Sequence, residues 1–285
     1  MSYWRFFGMI GTSTLVMYGL MYLNTYAWAH VWFSESRVYM AAWMGASMAV
    51  IMLAFMLGMY GNKIANAAIF AGSALVFAAA LALFRSQALV GDVAWMKAMI
   101  PHHSIAILTS RRAAVEDPRA AKLAAEIVEA QDREIAEMVY LVRDIEANGP
   151  DAGAEAYLGR PGGDAPVETL AQALATPTIA AIDPSPLTGA EIDRALGAPA
   201  ACTFARAADA DPVLATAADG RGVAKISDSL IVLDGDGATL AAEGLRLAVT
   251  PWEEGPAGRA DLLFEMTTEP PLRVGYAGWL DCGDD

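Results

Sequence analysis

Four side chains with metal-ligating chemistry recur on one face of a predicted helix. They are Asp92, Met96, Met99 and His103. At 100° per residue they span only about 60° of the helix, and His102 lies about 100° from His103 if the helix is unbroken. Thioethers are soft ligands that favour Cu(I), whereas imidazole suits copper, zinc and iron. The pattern therefore predicts a metal site, with Cu(I) favoured over zinc or iron.

A second predicted helix carries polar side chains inside an otherwise apolar stripe. Gln131 and Glu134 interrupt this stripe, and Met138 lies on the same face. A carboxylate in a core stripe costs several kcal/mol unless it is paired or bound to a metal. Two interpretations stay open: Glu134 is a metal ligand, or it lies at a solvated edge and pairs with Arg111 or Lys97.

Local signals define the two helices that position these side chains. We expect the first over residues 89–114 and the second over residues 118–147, joined by a short turn as antiparallel neighbours. Asp117 can cap the second helix, and Pro118 suits its first position. Pro101 removes a backbone donor and should kink or restart the first helix, which could bring both imidazoles to one site.

Two motifs resemble the signature of a known family. Residues 95–107, which contain the Pro-His-His sequence, and residues 126–138 are similar to the family called domain of unknown function 305 (DUF305). The resemblance covers residues 88–147 and implies a ferritin-like helical hairpin. The family includes periplasmic copper-binding proteins of the CopM kind. Membrane-anchored members with three preceding spans also resemble residues 1–87.

The resemblance also implies a set of metal-associated residues. Carried over by position, they are Asp92, Met96, Met99, His102, His103, Gln131, Glu134 and Met138. Many members have a methionine six residues after the second histidine, where this chain has Thr109. One soft ligand is therefore missing, and we expect a lower Cu(I) affinity or coordination number.

Three uncharged stretches precede the hairpin. Residues 6–34, 38–62 and 64–84 contain no Asp, Glu, Lys or Arg. A bilayer core of about 30 Å needs about 20 apolar residues. The sequence predicts three transmembrane helices, the first uncleaved, although a cleaved signal peptide is the alternative for that span. The methionines that recur every four residues in the second span are interpreted mainly as packing, with a copper relay as the alternative.

Charge and cysteine content bear on location. The net charge of the whole chain is −14. Residues 1–87 have a net charge of +3, so the remaining residues have a net charge of −17. Nucleic acid is not an expected partner, because phosphate binding needs a basic surface. Cys202 and Cys282 bracket one segment and predict a disulfide, which persists outside the cytoplasm; two unrelated buried thiols are the alternative. We expect a bacterial inner (cytoplasmic) membrane protein with a cytoplasmic N-terminus and periplasmic C-terminal domains.

The C-terminal part changes from helical to strand periodicity. Residues 149–187 are interpreted as a Pro/Gly/Ala-rich linker with one short helix near residues 168–175, and residues 188–191 can cap a further helix that ends near Leu196. Alternating apolar residues then predict a small β-sandwich or barrel. Its expected strands are 222–233, 245–250, 260–266 and 272–280.

The predicted fold class is a multi-domain α-then-β protein. The expected domains are a three-helix transmembrane anchor, a ferritin-like antiparallel helical hairpin, a linker and a β-rich domain. Their predicted boundaries are 1–87, 88–148, 149–187 and 188–285.

The leading functional hypothesis is a membrane-anchored, periplasm-facing protein that binds or handles copper. Its expected partners are the lipid bilayer, a second copy of the chain and a periplasmic protein. The second copy would bind through the hairpin, because two helices make only half of a four-helix bundle. The periplasmic protein would bind through the β-domain. The alternative is a scaffold that binds no metal. No catalytic motif is found, so an iron- or zinc-dependent enzyme at the same hairpin is the weaker third option.

Overall fold

A computed structural model describes residues 2–151, 184–226, 229–267 and 272–283. The chain divides into two compact units, Met1–Gln131 and Asp132–Asp285. The helix expected near residues 168–175, with most of the linker around it, lies outside the described residues.

The first unit is helical. Its helices are α1 (Tyr3–Leu20), α2 (Glu35–Phe55), α3 (Lys63–Ser86), α4 (Asp92–Arg112) and α5 (Pro118–Asn148), the last of which ends in the second unit. Short 3-10 turns at Trp28–His30 and Leu57–Met59 lie in the connections on either side of α2.

Side-chain caps mark the starts of α3 and α5. The amide oxygen of Asn62 accepts hydrogen bonds from the backbone N–H groups of Ile64 and Ala65, both at 3.1 Å, and begins α3. A carboxylate oxygen of Asp117 accepts from the N–H of Arg119 at 2.9 Å, and Pro118 is the first residue of α5, as the sequence predicted. Such caps satisfy backbone donors that have no partner within the helix.

Two helices of the described chain, α2 and α3, are long and apolar enough to cross a membrane. The prediction of three spans is therefore wrong for the first. Helix α1 has 18 residues, includes Arg5 and ends at Leu20, because the chain from there to Ser34 forms turns and a 3-10 segment. Helix α3 leaves apolar side chains uncovered within the unit, among them Leu75 at 70% exposure.

Helices α1, α2 and α3 share an apolar interior near the N-terminus of the chain. Phe6, Leu53 and Tyr60 are buried there, with Met52 and Met56 packed against them. For Met52 of α2 and for Met56, the residue that follows this helix, the structure confirms the packing role expected from the sequence.

The second unit contains a closed antiparallel barrel of eight strands. They are β1 (Cys202–Ala205), β2 (Leu214–Thr216), β3 (Gly222–Ile226), β4 (Ser229–Gly235), β5 (Thr239–Ala242), β6 (Leu245–Pro251), β7 (Arg259–Met266) and β8 (Leu272–Cys282). Each strand pairs with its neighbour in sequence, and β1 pairs with β8 to close the barrel. Of the two predicted β-architectures, the barrel is the one observed.

The interior of the barrel follows the alternation of its strands. In β7, Ala260, Leu262 and Phe264 are fully buried while the residues between them are half-buried, as expected for period-two side chains. The single strand expected over residues 222–233 is wrong: it is the hairpin of β3 and β4, in which Val223 lies opposite Val232. The intervening Ser-Asp dipeptide is a weak turn signal, so the sequence did not reveal the reversal.

The predicted disulfide is present. Cys202 and Cys282 lie directly opposite each other where β1 meets β8, with 4.0 Å between their Cα atoms. The bridge joins the first and last strands and indicates that this unit matures in an oxidising compartment.

Two helical segments pack against the barrel. Helix α6 (Gly189–Leu196) begins with the predicted cap, and its Ile192 and Leu196 form a buried cluster with Ala215 and Val223. The second half of α5 also contacts the strands, because Ala136 belongs to the barrel's apolar cluster.

A charged and aromatic cluster joins α5 to the barrel. The guanidinium of Arg143 lies 3.7 Å from the centroid of the Trp252 ring and donates to Asp261 at 2.5 Å. The indole N–H of Trp252 donates to the same carboxylate at 2.8 Å, and Arg259 lies over the rings of Trp252 and Trp279. Burial lowers the pKa of Arg259, while Asp261 beside it favours the charged form.

Candidate functional site

The predicted metal-associated residues are divided between the two units. The first unit holds Asp92, Met96, Met99, His102, His103 and Gln131, and the second holds Glu134 and Met138.

Helix α4 brings the two imidazoles near each other. The helix runs through Pro101 without a break, so the expected restart does not occur; the proline ring is buried. The centroids of the His102 and His103 rings are 6.2 Å apart, with the ring planes 72° from parallel.

The Nδ1 atom of His103 is 2.9 Å from the carbonyl oxygen of Met99. A carbonyl can only accept, so Nδ1 is the nitrogen that carries the proton in this contact. Hydrogen bonds of this type fix the tautomer and orientation of metal-ligating histidines.

The remaining predicted residues differ widely in burial. Asp92 is exposed in the first turn of α4, whereas Met96 is 3% exposed. In the second unit, Met138 is 6% exposed, and the half-buried carboxylate of Glu134 lies 3.7 Å from the guanidinium of Arg133. Glu134 thus has a basic neighbour on its own helix.

A cleft in the first unit brings together side chains from several helices. Its volume is about 630 Å³, and Met99 and His102 of α4 form part of its wall. Thioethers from α2 and from the segment after α1 face the same space. The side chains around the cleft that could bind Cu(I) are Met21, Met40, Met44, Met99 and His102.

Sequence reasoning missed three of these five residues as ligands. Met40 and Met44 were counted among the packing methionines of the second span, and Met21 was not singled out. The only sequence signal was the recurrence of methionine every four residues along α2. Met52 and Met56 continue that series but lie in the apolar interior described above.

The cleft also has a polar, cationic part. Arg37, which is 6% exposed, lines it together with Ser34, Ser36, Asn24 and Gln87. Among the residues that the structure describes, no carboxylate lies within 4.0 Å of the Arg37 guanidinium.

The third histidine of the chain holds α4 to the connection between α1 and α2. Nδ1 of His30 lies 2.9 Å from the hydroxyl of Ser104, which also accepts a hydrogen bond from the N–H of Tyr26 at 2.7 Å. Ser104 is fully buried. These contacts fix the segment after α1 against α4, which helps to define one wall of the cleft.

Within the described ranges, no group of three or more His, Cys, Asp or Glu side chains could hold a metal ion. The donors that these ranges do gather around one space are thioethers with one imidazole. Such a donor set fits Cu(I) better than zinc, which prefers thiolate, imidazole and carboxylate ligands.

Two family models match the chain. The model described as Domain of unknown function (DUF305) matches residues 78–152, and that described as Domain of unknown function (DUF6692) matches residues 142–285. The first match contains α4 and α5, and the second contains the barrel. No curated protein and no solved structure matches the chain.

Proposed function

Because the chain belongs to the DUF6692 family and carries a DUF305 domain, we propose that it is a membrane-anchored protein that binds copper through its DUF305 segment. The proposed role is binding or handling of the ion and not catalysis. The barrel is the periplasmic part of the same chain.

The observation that carries this proposal is the donor set of the cleft. Met99 and His102 were expected as ligands from their positions in the sequence, and they face the same space as Met40 and Met44. Four thioethers and one imidazole around one cleft match the ligand preference of Cu(I). The thioethers of α2 would supply the soft ligand that the family pattern loses at Thr109.

The other residues of α4 would support the site. The hydrogen bond to the Met99 carbonyl orients the His103 ring beside His102, which lines the cleft. Met96, Asp92, Gln131, Glu134 and Met138 stay predictions from the family resemblance. Zinc or iron is the less favoured occupant, because the cleft offers one imidazole and no cysteine.

The proposed location is the bacterial inner membrane, with the barrel on its periplasmic side. The cytoplasmic N-terminus expected from three spans does not follow from two, because two spans return the chain to the side on which it began. Helices α2 and α3 would anchor the chain, and the Cys202–Cys282 disulfide favours an oxidising compartment for the barrel. The start of α2 and the end of α3 both contribute to the cleft, through Met40 and Phe84. The cleft would then lie at the periplasmic surface of the bilayer.

The test is a Cu(I) titration of the full chain in mild detergent, under anaerobic reducing conditions and against a chromogenic chelator. Replacing Met40 and Met44 by Leu keeps the apolar volume but removes two sulfurs. We expect at least a tenfold loss of affinity, about 1.4 kcal/mol, and a similar loss for Met99→Leu. The matched control replaces Met52 and Met56, at the other end of α2 and just after it, which lie outside the cleft.

The proposal fails if wild-type protein does not compete with micromolar chelator. That result would favour the alternative of a scaffold without metal. If wild type competes but the Met40/Met44 variant binds copper as well as the Met52/Met56 control, copper lies elsewhere and the cleft is the wrong site.

We propose a second copy of the chain as a partner through the first half of α5. Leu123 is 57% exposed there, although it belongs to the apolar stripe of the helix. Leu123→Glu should convert a dimer to a monomer in light scattering with detergent correction. Ala121→Glu adds the same charge about 200° around the helix and should leave the dimer intact. A monomeric wild type would contradict this.

We propose the outer surface of the barrel as the contact for a periplasmic protein. Val232 is 42% exposed on β4, an apolar side chain facing outward. A photo-crosslinking residue at position 232 should capture a specific periplasmic protein in cells, whereas the exposed position 243 should not. Equal labelling at both positions would count against this surface.

A further inference from the structure

Arg37 is a buried cation at the wall of the cleft. Its side chain is packed over the ring of Tyr22, with 4.1 Å between the guanidinium carbon and the ring centroid. Nη1 donates to the carbonyl oxygen of Met21 at 2.5 Å. These contacts hold the guanidinium in place but do not neutralise it.

A buried charge without an opposite charge is strongly unfavourable, and charged groups in protein interiors are normally paired. A guanidinium has five N–H donors in a planar fork that matches the oxygens of phosphate and carboxylate groups. One of the five is accounted for by the Met21 carbonyl. In the part of the chain that the structure describes, no acidic side chain pairs with the others, so Arg37 presents a binding group for an anion to the cleft.

The rest of the cleft selects the kind of anion. Phe84, Trp95 and Ile105 give it apolar walls, while Ser36 and Gln87 are polar. Its volume of about 630 Å³ lies in the range of small-molecule sites, about 300–1,000 Å³, and is far larger than a single inorganic anion requires. The site therefore fits an amphiphile with an anionic head and an apolar tail.

The position of the cleft identifies the source of such a molecule. Arg37 lies in the first turn of α2 and Phe84 in the last turn of α3, at the same end of the two apolar helices. We propose that the cleft binds one phospholipid of the surrounding leaflet, with its phosphate on Arg37 and the first part of an acyl chain along the apolar walls.

This inference rests on Arg37 and not on the copper ligands, so it stands independently of the proposed copper function. The two sites nevertheless share a cleft. A phosphate on Arg37 would offset the positive charge that otherwise repels a copper ion in the same space.

The experiment measures lipid retained by the full chain after exhaustive washing in mild detergent. Native mass spectrometry and phosphorus analysis should find about one phospholipid per chain in the wild type. Arg37→Met, which keeps an unbranched side chain but removes the charge, should reduce this at least fivefold. Arg85→Met makes the same change at the exposed end of α3 and should retain the lipid.

A second pair of variants tests the cleft with Arg37 intact, and it decides the question if Arg37→Met does not fold. Ala98→Phe fills the cleft and should expel the lipid, whereas Ala106→Phe, on the same helix but outside the cleft, should not. An excess of inorganic phosphate should fail to displace the lipid, because the apolar walls contribute to binding. Lipid-free wild type, equal retention in Ala98→Phe and Ala106→Phe, or full displacement by phosphate would overturn the proposal.

Discussion

Tyr140 and Gly275 set how closely helix α5 approaches the barrel within the second unit. A Cβ atom at position 275 would overlap the ring of Tyr140, so glycine is required for the ring to lie against strand β8. Nearby, Arg143 contacts both Trp252 and Asp261. Interiors are close-packed, so one added methyl group here must displace the ring or the helix.

Gly275→Ala should destabilise the second unit by about 1–3 kcal/mol, the usual cost of overpacking. Urea unfolding in mild detergent, followed by near-UV circular dichroism, measures this loss. In a Tyr140→Ala background the same substitution should cost much less, since the overlapping ring is gone. Gly283→Ala, at a position open to solvent, is the control; an equal effect of both alanines would contradict the assignment.

At the scale of elements, helix α6 depends on a reciprocal cap. The backbone N–H of Thr188 donates to the Glu191 carboxylate at 2.8 Å, and the N–H of Glu191 donates to the Thr188 hydroxyl at 3.3 Å. Lys225 on β3 contacts the same carboxylate at 3.2 Å. The backbone N–H of Thr188, then its hydroxyl and Lys225, lower the pKa of Glu191. The Glu191 carboxylate therefore both caps helix α6 and holds it to strand β3 of the barrel.

Because the pKa of Glu191 is lower in the folded than in the unfolded protein, its carboxylate stabilises the fold at pH values above the ordinary 4.5. This contribution is lost as the pH falls through the folded pKa. Glu191→Gln should thus be less stable than wild type at pH 7, and the difference should shrink below pH 4.5. Thermal unfolding at several pH values measures it; a difference independent of pH would contradict the ionic contribution.

At the scale of the whole molecule, one covalent bond closes the barrel. The disulfide joins residues 80 positions apart and links the two strands that complete the sheet. In the chain-entropy model, a cross-link over a loop of this length stabilises the fold by about 4 kcal/mol. In the membrane topology proposed above, the oxidised barrel would place the end of α3 on the periplasmic side.

Replacing both cysteines by serine should lower the free energy of unfolding of the barrel by about 4 kcal/mol. Reductant should have the same effect on the wild type. It should have no effect on the variant, which is therefore the control for the reductant. In native membranes, a thiol reagent should label wild type only after reduction and denaturation. Two reactive thiols without reduction would show that the barrel does not reside in an oxidising compartment.

The sequence alone determined the features that depend on local pattern. The apolar runs predicted α2 and α3, and Asp117-Pro118 predicted the start of α5, because caps and hydrophobic periodicity act within a few residues. The cysteine pair predicted the bridge, and the alternating residues 245–250, 260–266 and 272–280 predicted three strands of the barrel. The shortest strands, β1, β2 and β5, were missed, since three or four residues carry too little alternation to be recognised.

Only the tertiary structure decided which residues from distant parts of the chain face one another. The sequence placed Met40 and Met44 with Met52 and Met56 in one repeating series, yet the first pair lines the cleft and the second lies in the apolar interior. Likewise, no pattern in the sequence predicted that the Arg37 side chain is buried. The physical reason is that helical spacing specifies a face, whereas the neighbour of that face is set by how separate helices pack.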